Sequence, residues 1–310
     1  AEAERELAAI DKLGATLVLL GDAAYPAALA QLDDAPPALI VRGRIELLAR
    51  PAVAIVGSRT ASANGARFAR QLAADLGEAG LVVVSGFARG IDSAAHRGAL
   101  GSGTIAVMAG GVDVIYPPEN ETLYGELVGE GAALSELPCG TTPLARHFPQ
   151  RNRLVSGASL GVIVVEAAFK SGSLITARRA LDQGRELFAV PGSPLDPRAR
   201  GANDLIRKGA TLIQGAEDVL EVLRPQLGEP PPHRARRPLA MLENPPENAP
   251  ADVSAARIVV LDLISPTPTP IDEILRQCHL SAAAVLTAIL ELELAGRLQR
   301  HPGNQVSSIC

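Results

Sequence analysis

Tryptophan is absent from this chain, and phenylalanine and tyrosine together supply only eight rings in 310 residues. Stacking on a flat ligand would rest on very few side chains. Cysteine is almost as scarce. Cys139, Cys278 and Cys310 lie far apart and form no CxxC pair. This excludes a disulfide framework, leaves no cysteine-based metal site, and fits a reducing, cytoplasmic setting. No apolar run approaches the roughly 18 residues needed to span a membrane, so no membrane partner is expected. The turn GFARGID is not GxGxxG, and neither GxxxxGKS nor GxxxxGKT occurs. Dinucleotide binding and P-loop hydrolysis lose their usual signatures, and no cofactor is expected. No Ser–His–Asp order stands out, and His96 sits alone on its helix, where a packed imidazole is the simpler reading. No catalytic residue is assigned.

Hydrophobic residues make up 47% of the chain and charged residues 20%, enough to bury a sizeable core. The net charge of −5 hides an asymmetry. Residues 51–100 hold five arginines against three acids, and residues 140–210 hold eleven basic residues against five acids. Residues 101–139 contain six acids and no base. A basic face on an acidic body suits a polyanion, although solvated helix faces give the same count.

Short apolar runs alternate with helical spacing from residue 52 onward. AVAIVG (52–57), LVVVSG (81–86), TIAVMAGG (104–111), ALSELP (133–138), GVIVVEA (161–167) and ELFAVPG (186–192) read as strands. Helical patterns over 64–80, 91–100, 121–130 and 174–184 lie between them. The fold class is therefore α/β, an extended Rossmann-like, mostly parallel sheet. Residues 1–50 read as a lead-in helix and strands packing on that domain, which spans 51–224. A Pro-rich stretch over 225–254 reads as a linker. Three helices and a hairpin over 255–310 make a small C-terminal winged-helix domain. Its third helix, 281–296, has two glutamates and no Lys or Arg, which suits packing or protein contact better than base reading. Arg297 and Arg300 fall on the wing.

Three strand-end turns should open on one sheet edge, where ligands of parallel sheets bind. GSRTASANG (57–65) brings Ser58 and Arg59. SGFARGID (85–92) brings Gly86, Arg89 and Gly90. EAAFKSGSLITA (166–177) brings Lys170, Ser171, Gly172, Ser173 and Thr176. Helix N-termini with free amides hold phosphates, and these side chains add hydroxyls and charge. A fourth segment, RHFPQRNRLVSGAS (146–159), surrounds Phe148 with Arg146, His147, Arg151 and Arg153 beside Asn152. A ring among arginines stacks a base while the arginines grip phosphates. The competing reading buries Phe148 and pairs the arginines with acids elsewhere.

GSR, SGFARGIDSAAH, YPPEN, SELP, FPQRNRLVSGAS, VVEAAFKSGSLITARRA, FAVPG and GANDLIRKGA occur here in the order of the DprA family, and the lead-in YPAALAQLDDAPPALIVRG fits it too. Over about residues 22–215 the chain resembles these DNA-processing proteins of bacterial natural transformation. The resemblance implies single-stranded DNA (ssDNA) binding, a homodimer formed through the Rossmann-like domain, RecA as partner, and no enzymatic activity. It assigns Ser58 and Arg59 to phosphate gripping, Phe148 and Arg151 to Arg153 to base stacking and backbone binding, and Lys170 to Ser173 to a second anion turn. Fuller members carry an N-terminal helical domain, whereas only a short helix precedes the Rossmann-like part here. Position 145 is Ala, where some members are basic, and Arg146 would compensate. The alternative is a nucleotide phosphoribohydrolase of the lysine-decarboxylase-like group. That chemistry needs a PGGxGT turn followed by a glutamate; KSGSLIT stands here, and Glu166 precedes it.

Overall fold

A computed structural model describes residues 2–227 and 252–309. In chain order the first part runs α1 (Glu2–Leu13), β1 (Ala15–Leu19), α2 (Ala27–Ala30), β2 (Ala38–Gly43), β3 (Ala52–Val56), α3 (Ala63–Glu78), β4 (Val82–Ser85) and α4 (Ile91–Ala99). It continues with β5 (Thr104–Val107), α5 (Glu121–Glu130), β6 (Ala132–Ser135), α6 (His147–Gly157), β7 (Gly161–Val164), α7 (Gly172–Asp182), β8 (Glu186–Ala189), α8 (Arg200–Arg207), β9 (Thr211–Leu212) and α9 (Ala216–Leu227). The nine strands form one sheet in the order β1-β2-β6-β5-β4-β3-β7-β8-β9.

β3 is central and pairs in parallel with β4 and β7, Ala54 lying opposite both Val84 and Val162. All five β3 residues are buried, because helices cover both faces of the sheet. The period-two pleat sorts them. Ala52, Ala54 and Val56 join the core under α6, α7 and α8, while Val53 and Ile55 join the core under α3, α4 and α9. The strand order reverses between β3 and β7, where a doubly wound sheet opens its ligand crevice. The α/β expectation holds. Residues 1–50 contribute β1 and β2, the antiparallel edge of the same sheet, with β2 pairing β6.

The 146–159 segment is helical for most of its length, an element that its sequence hid. Pro149 is the third helical residue, and its missing N–H costs nothing there, since first-turn amides have no partner within the helix. α8, β9 and α9 were likewise not read from the sequence. α9 carries Pro225 and runs to Leu227, so the helix overlaps the first three residues expected in the linker. The middle of that linker lies outside the described residues.

The C-terminal part consists of α10 (Val253–Leu263), β10 (Thr269–Pro270), α11 (Ile271–Cys278), α12 (Ala282–Leu294), β11 (Leu298–His301) and β12 (Gln305–Ser308). Its strands pair in the order β10-β12-β11 over a core that includes Val260, Ile274, Val285, Ile289 and Val306. The three helices and hairpin are the expected ones. Asp252 and Ser281 cap α10 and α12 through their side chains. Ala63, the first residue of α3, is buried in this core. Asn64 Nδ2 donates to Thr269 Oγ1 at 2.9 Å, and Gln277 Nε2 donates to the Ala63 carbonyl at 3.1 Å. Arg198 donates to the carbonyls of Asp262 and Ile264, each at 2.7 Å. The winged helix thus sits beside the loops that follow β3 and β8, at the carboxyl edge of the sheet.

Candidate nucleic-acid interface

A cleft opens at the carboxyl ends of β4 and β5. Arg59, Gly86, Met108, Tyr116, Phe148 and Arg151 are among its walls. Helical spacing places Phe148 and Arg151 three residues apart on the cleft-facing side of α6. Phe148 is half-buried. The Arg59 guanidinium lies 5.2 Å from the centre of its ring, and Tyr116 meets it edge-on at 5.7 Å. Arg59 and Tyr116 are both exposed, so this group of cation and two rings borders solvent.

Arg151 forms the floor. It is 6% exposed, and one Nη donates to the Val107 carbonyl at 3.1 Å. Its Nε has no partner among the described residues. Burial pushes the guanidinium pKa down to about 10, with Asp92 opposing the shift and Arg59 adding to it. The group stays charged at neutral pH. A buried cation with a free N–H at the base of an open cleft is suited to an anion. The sequence assigned Arg151 to the nucleic-acid segment but gave no sign that it would be buried.

The SGFARGID turn behaves differently from the expectation that its amides stay open. The carboxylate of Asp92 accepts the amides of Gly86 at 3.1 Å and Ala88 at 3.3 Å. Burial pushes the Asp92 pKa up, against the pull of Arg151. The Ile91 amide donates to the Ser58 carbonyl at 3.1 Å. Three backbone donors of this turn are therefore taken by the chain itself. Gly90 has φ +76°, and a Cβ there would strike the Ser58 carbonyl. It is a spacer that lets the first two turns close on each other. A Cβ on Gly86 would strike the Arg151 guanidinium. Arg89 reaches Glu119 at 3.3 Å in an exposed pair.

The first turn is also partly spent on itself. Ser58 Oγ accepts the Thr60 amide at 3.2 Å. Ser62 caps α3, accepting the Gly65 amide at 2.9 Å, and its own N–H and hydroxyl donate to Glu166 at 2.9 and 2.5 Å. Both carboxylate oxygens of Glu166 are engaged across the β3–β7 crevice. The phosphoribohydrolase alternative would have to recruit that same carboxylate.

The third turn does not line the cleft. Asn152 Nδ2 ties it to α6 through the Gly172 carbonyl at 3.4 Å. Ser173 and Thr176 are buried, and Ser171 pairs with Ser173 Oγ to Oγ at 2.6 Å without capping α7. Lys170 and Gly172 stay exposed, and Lys170 has φ +66°. The remaining basic residues of the fourth segment diverge. Arg146 is exposed. Arg153 turns to Glu136, with which it forms a short ion pair, and to the Asp34 carbonyl at 2.7 Å. His147 is buried and accepts the Leu144 amide through Nδ1 at 3.2 Å. His96 is buried as well, its Nδ1 2.7 Å from Thr104 Oγ1. The Thr104 hydroxyl proton goes to the Val83 carbonyl, so Nδ1 of His96 carries the hydrogen and donates. Nothing in the turn YPPEN marks Tyr116 as a site residue; the scarcity of rings in the chain is the signal that points to it.

Residues 16–224 match the sequence model described as DNA recombination-mediator protein A. The chain belongs to this family. Residues 244–304 match the DprA winged helix domain. The chain is 40% identical over 290 residues to Protein Smf of Escherichia coli K12, a match covering 91% of this chain and 74% of that protein. It is 47% identical over 201 residues to DNA processing protein DprA of Streptococcus pneumoniae, covering 64% and 71%. The solved structure of DprA from S. pneumoniae superposes with a TM-score of 0.64 at 45% identity, covering 66% of this chain and 73% of that one. That of DNA processing protein A from Helicobacter pylori superposes with a TM-score of 0.63 at 33% identity, covering 68% and 96%. The DprA assignment agrees with the resemblance read from the sequence, and the cleft residues from Arg59 to Arg151 all fall inside the matched range. No helix among the described residues is long and apolar enough to cross a membrane.

Proposed function

We propose that this chain is an ssDNA-binding mediator of recombination in natural transformation, which protects incoming strands and loads RecA onto them, and that it acts as a homodimer in the cytoplasm. The observation that carries the reading is the cleft itself. Phe148 offers a ring to a base, Arg59 an exposed charge to the phosphates, and Arg151 a buried charge with an unpaired N–H below them. A strand that stacks on Phe148 would release Arg59 from the ring to its phosphates. The H. pylori relative was solved for its single-stranded DNA binding mode, which supports the same reading here. A binding role rather than catalysis is supported by how the reactive-looking groups are occupied: His96 is packed and hydrogen-bonded inside the fold, and Glu166 holds the cap of α3.

The test is fluorescence anisotropy of labelled oligo-dT, with duplex of equal length for comparison, over a salt series. Tight binding that favours the single strand and falls steeply with salt is expected. Equal weak binding of both nucleic acids would remove the reading and redirect the search to nucleotide hydrolysis. RecA loading is read separately, as an earlier onset of RecA polymerisation on the same oligonucleotide. An unchanged onset would leave binding in place and remove the loading step.

A further inference from the structure

Of the eight aromatic rings, Phe87, Phe188, Tyr25 and Tyr124 are buried, and Phe68 packs against the core under α3. Tyr116 and Phe148 form the cleft platform. One ring is left over. Phe169 is 62% exposed in the turn between β7 and α7, beside exposed Lys170. No ring or guanidinium among the described residues stacks on it, and Lys170 forms no ion pair with any of them. An exposed ring next to a cation offers a stacking face to a nucleobase and a charge to its phosphate. The turn lies on the same carboxyl edge as the cleft, and it is tied to α6 through Asn152, one helical turn after Phe148. Asn152 is about 6 Å along the helix axis from Phe148, and Gly172 is three residues from Phe169, a reach of about 10 Å.

We propose that Phe169 is a second base-stacking platform, on which a nucleobase of the strand held in the cleft stacks several nucleotides away from Phe148, with Lys170 on the intervening phosphates. This rests on the ssDNA reading and extends it. The cleft takes one short stretch, and the Phe169 turn fixes the direction in which the strand leaves.

The chain has no tryptophan, so Phe169→Trp creates a single indole emitter at the site. Its emission is followed during titration with oligo-dT of about 4 and about 12 nucleotides, lengths within the range of single-strand site sizes. The longer strand is expected to quench the introduced indole and the shorter one to leave it unchanged. In parallel, Phe169→Ala is expected to weaken the longer strand about tenfold while leaving the shorter one unchanged. If the wild-type chain binds both strands but Phe169→Ala matches it at each length, or the indole stays unquenched, the platform is overturned and the cleft reading survives. Emission that shifts with protein concentration and ignores the oligonucleotide would assign the ring to a protein contact, which also overturns it. Failure of the wild-type chain to bind either strand would instead remove the ssDNA reading itself.

Discussion

Arg59 and Arg151 reach one cleft in opposite circumstances, and their substitutions should separate accordingly. Arg59 is exposed and leans on Phe148. Arg59→Ala should lower ssDNA affinity and flatten the logarithmic salt slope by about 0.7, the share of one phosphate on a single strand. An unchanged slope would take Arg59 out of the interface. Phe148→Ala should cost about 1–3 kcal/mol of binding and leave the slope alone, because it removes stacking and no charge. Arg151 is buried and balanced by Asp92, so its removal confounds folding with binding. His96 supplies a pH signature unrelated to DNA. Burial and the positive charges of Arg151 and Arg97 push its pKa down to about 3. An unfolded histidine titrates near 6.5. Below that pH the unfolded chain takes up a proton that the fold refuses, so stability is complete above about pH 6.5 and is lost as pH falls toward 3. At pH 5 the loss from this residue is about 2 kcal/mol. His96→Asn, whose amide still reaches Thr104, should narrow the stability gap between pH 7.5 and pH 5 by about that amount in urea unfolding. An equal gap in both proteins would place the acid sensitivity elsewhere.

The turns and helices divide clearly into what sequence pattern revealed and what it hid. The strands were legible because burial on both faces leaves continuous apolar runs, as in β3 and β7. The C-terminal helices were legible from their spacing. α6 was not, because its cations and Pro149 mask its helical period. The same period explains why neighbouring arginines part company: Arg151 enters the cleft floor while Arg153, two residues on, points to Asp34 and Glu136. Proximity in sequence suggested one basic cluster, and a rotation of about 100° per residue divides it. The glycine turn misled for a related reason. SGFARGID looked like open amides, but Asp92, six residues after Gly86, folds back to fill them. Gly90 is the residue to test. Gly90→Ala puts a Cβ at φ +76° against the Ser58 carbonyl and should destabilise the protein by about 2 kcal/mol. ssDNA affinity should fall with it, since the displaced loop carries Arg59. Loss of stability with unchanged affinity would show that the two turns are not coupled.

Among the described residues, the winged helix shares an edge with the cleft without supplying any residue to its walls. Its contacts run through Ala63, Asn64 and Arg198, positions that flank the β3 and β8 loops. The exposed side of α12 displays Leu286, Leu290 and Leu294, four residues apart, with Glu291 alongside. A recognition helix presents donors to base edges and phosphates, and on this face the Thr287 hydroxyl is spent on the Ala283 carbonyl at 2.8 Å. The cations and open rings of the cleft and of the third turn lie instead between residues 59 and 170. A chain ending after Leu227, which keeps α9 whole, should therefore fold and hold oligo-dT within about threefold of the full chain's affinity, a difference of about 0.7 kcal/mol. It should also keep the same salt slope, because Arg297 and Arg300 are the cations that the wing would have contributed. A slope that flattens by one or more phosphates on truncation would place the wing on the strand. Affinity that collapses with the slope intact would mean that the docked domain holds the Arg59 loop in position through Ala63 and Asn64, and substituting Asn64 in the full chain should then reproduce the loss.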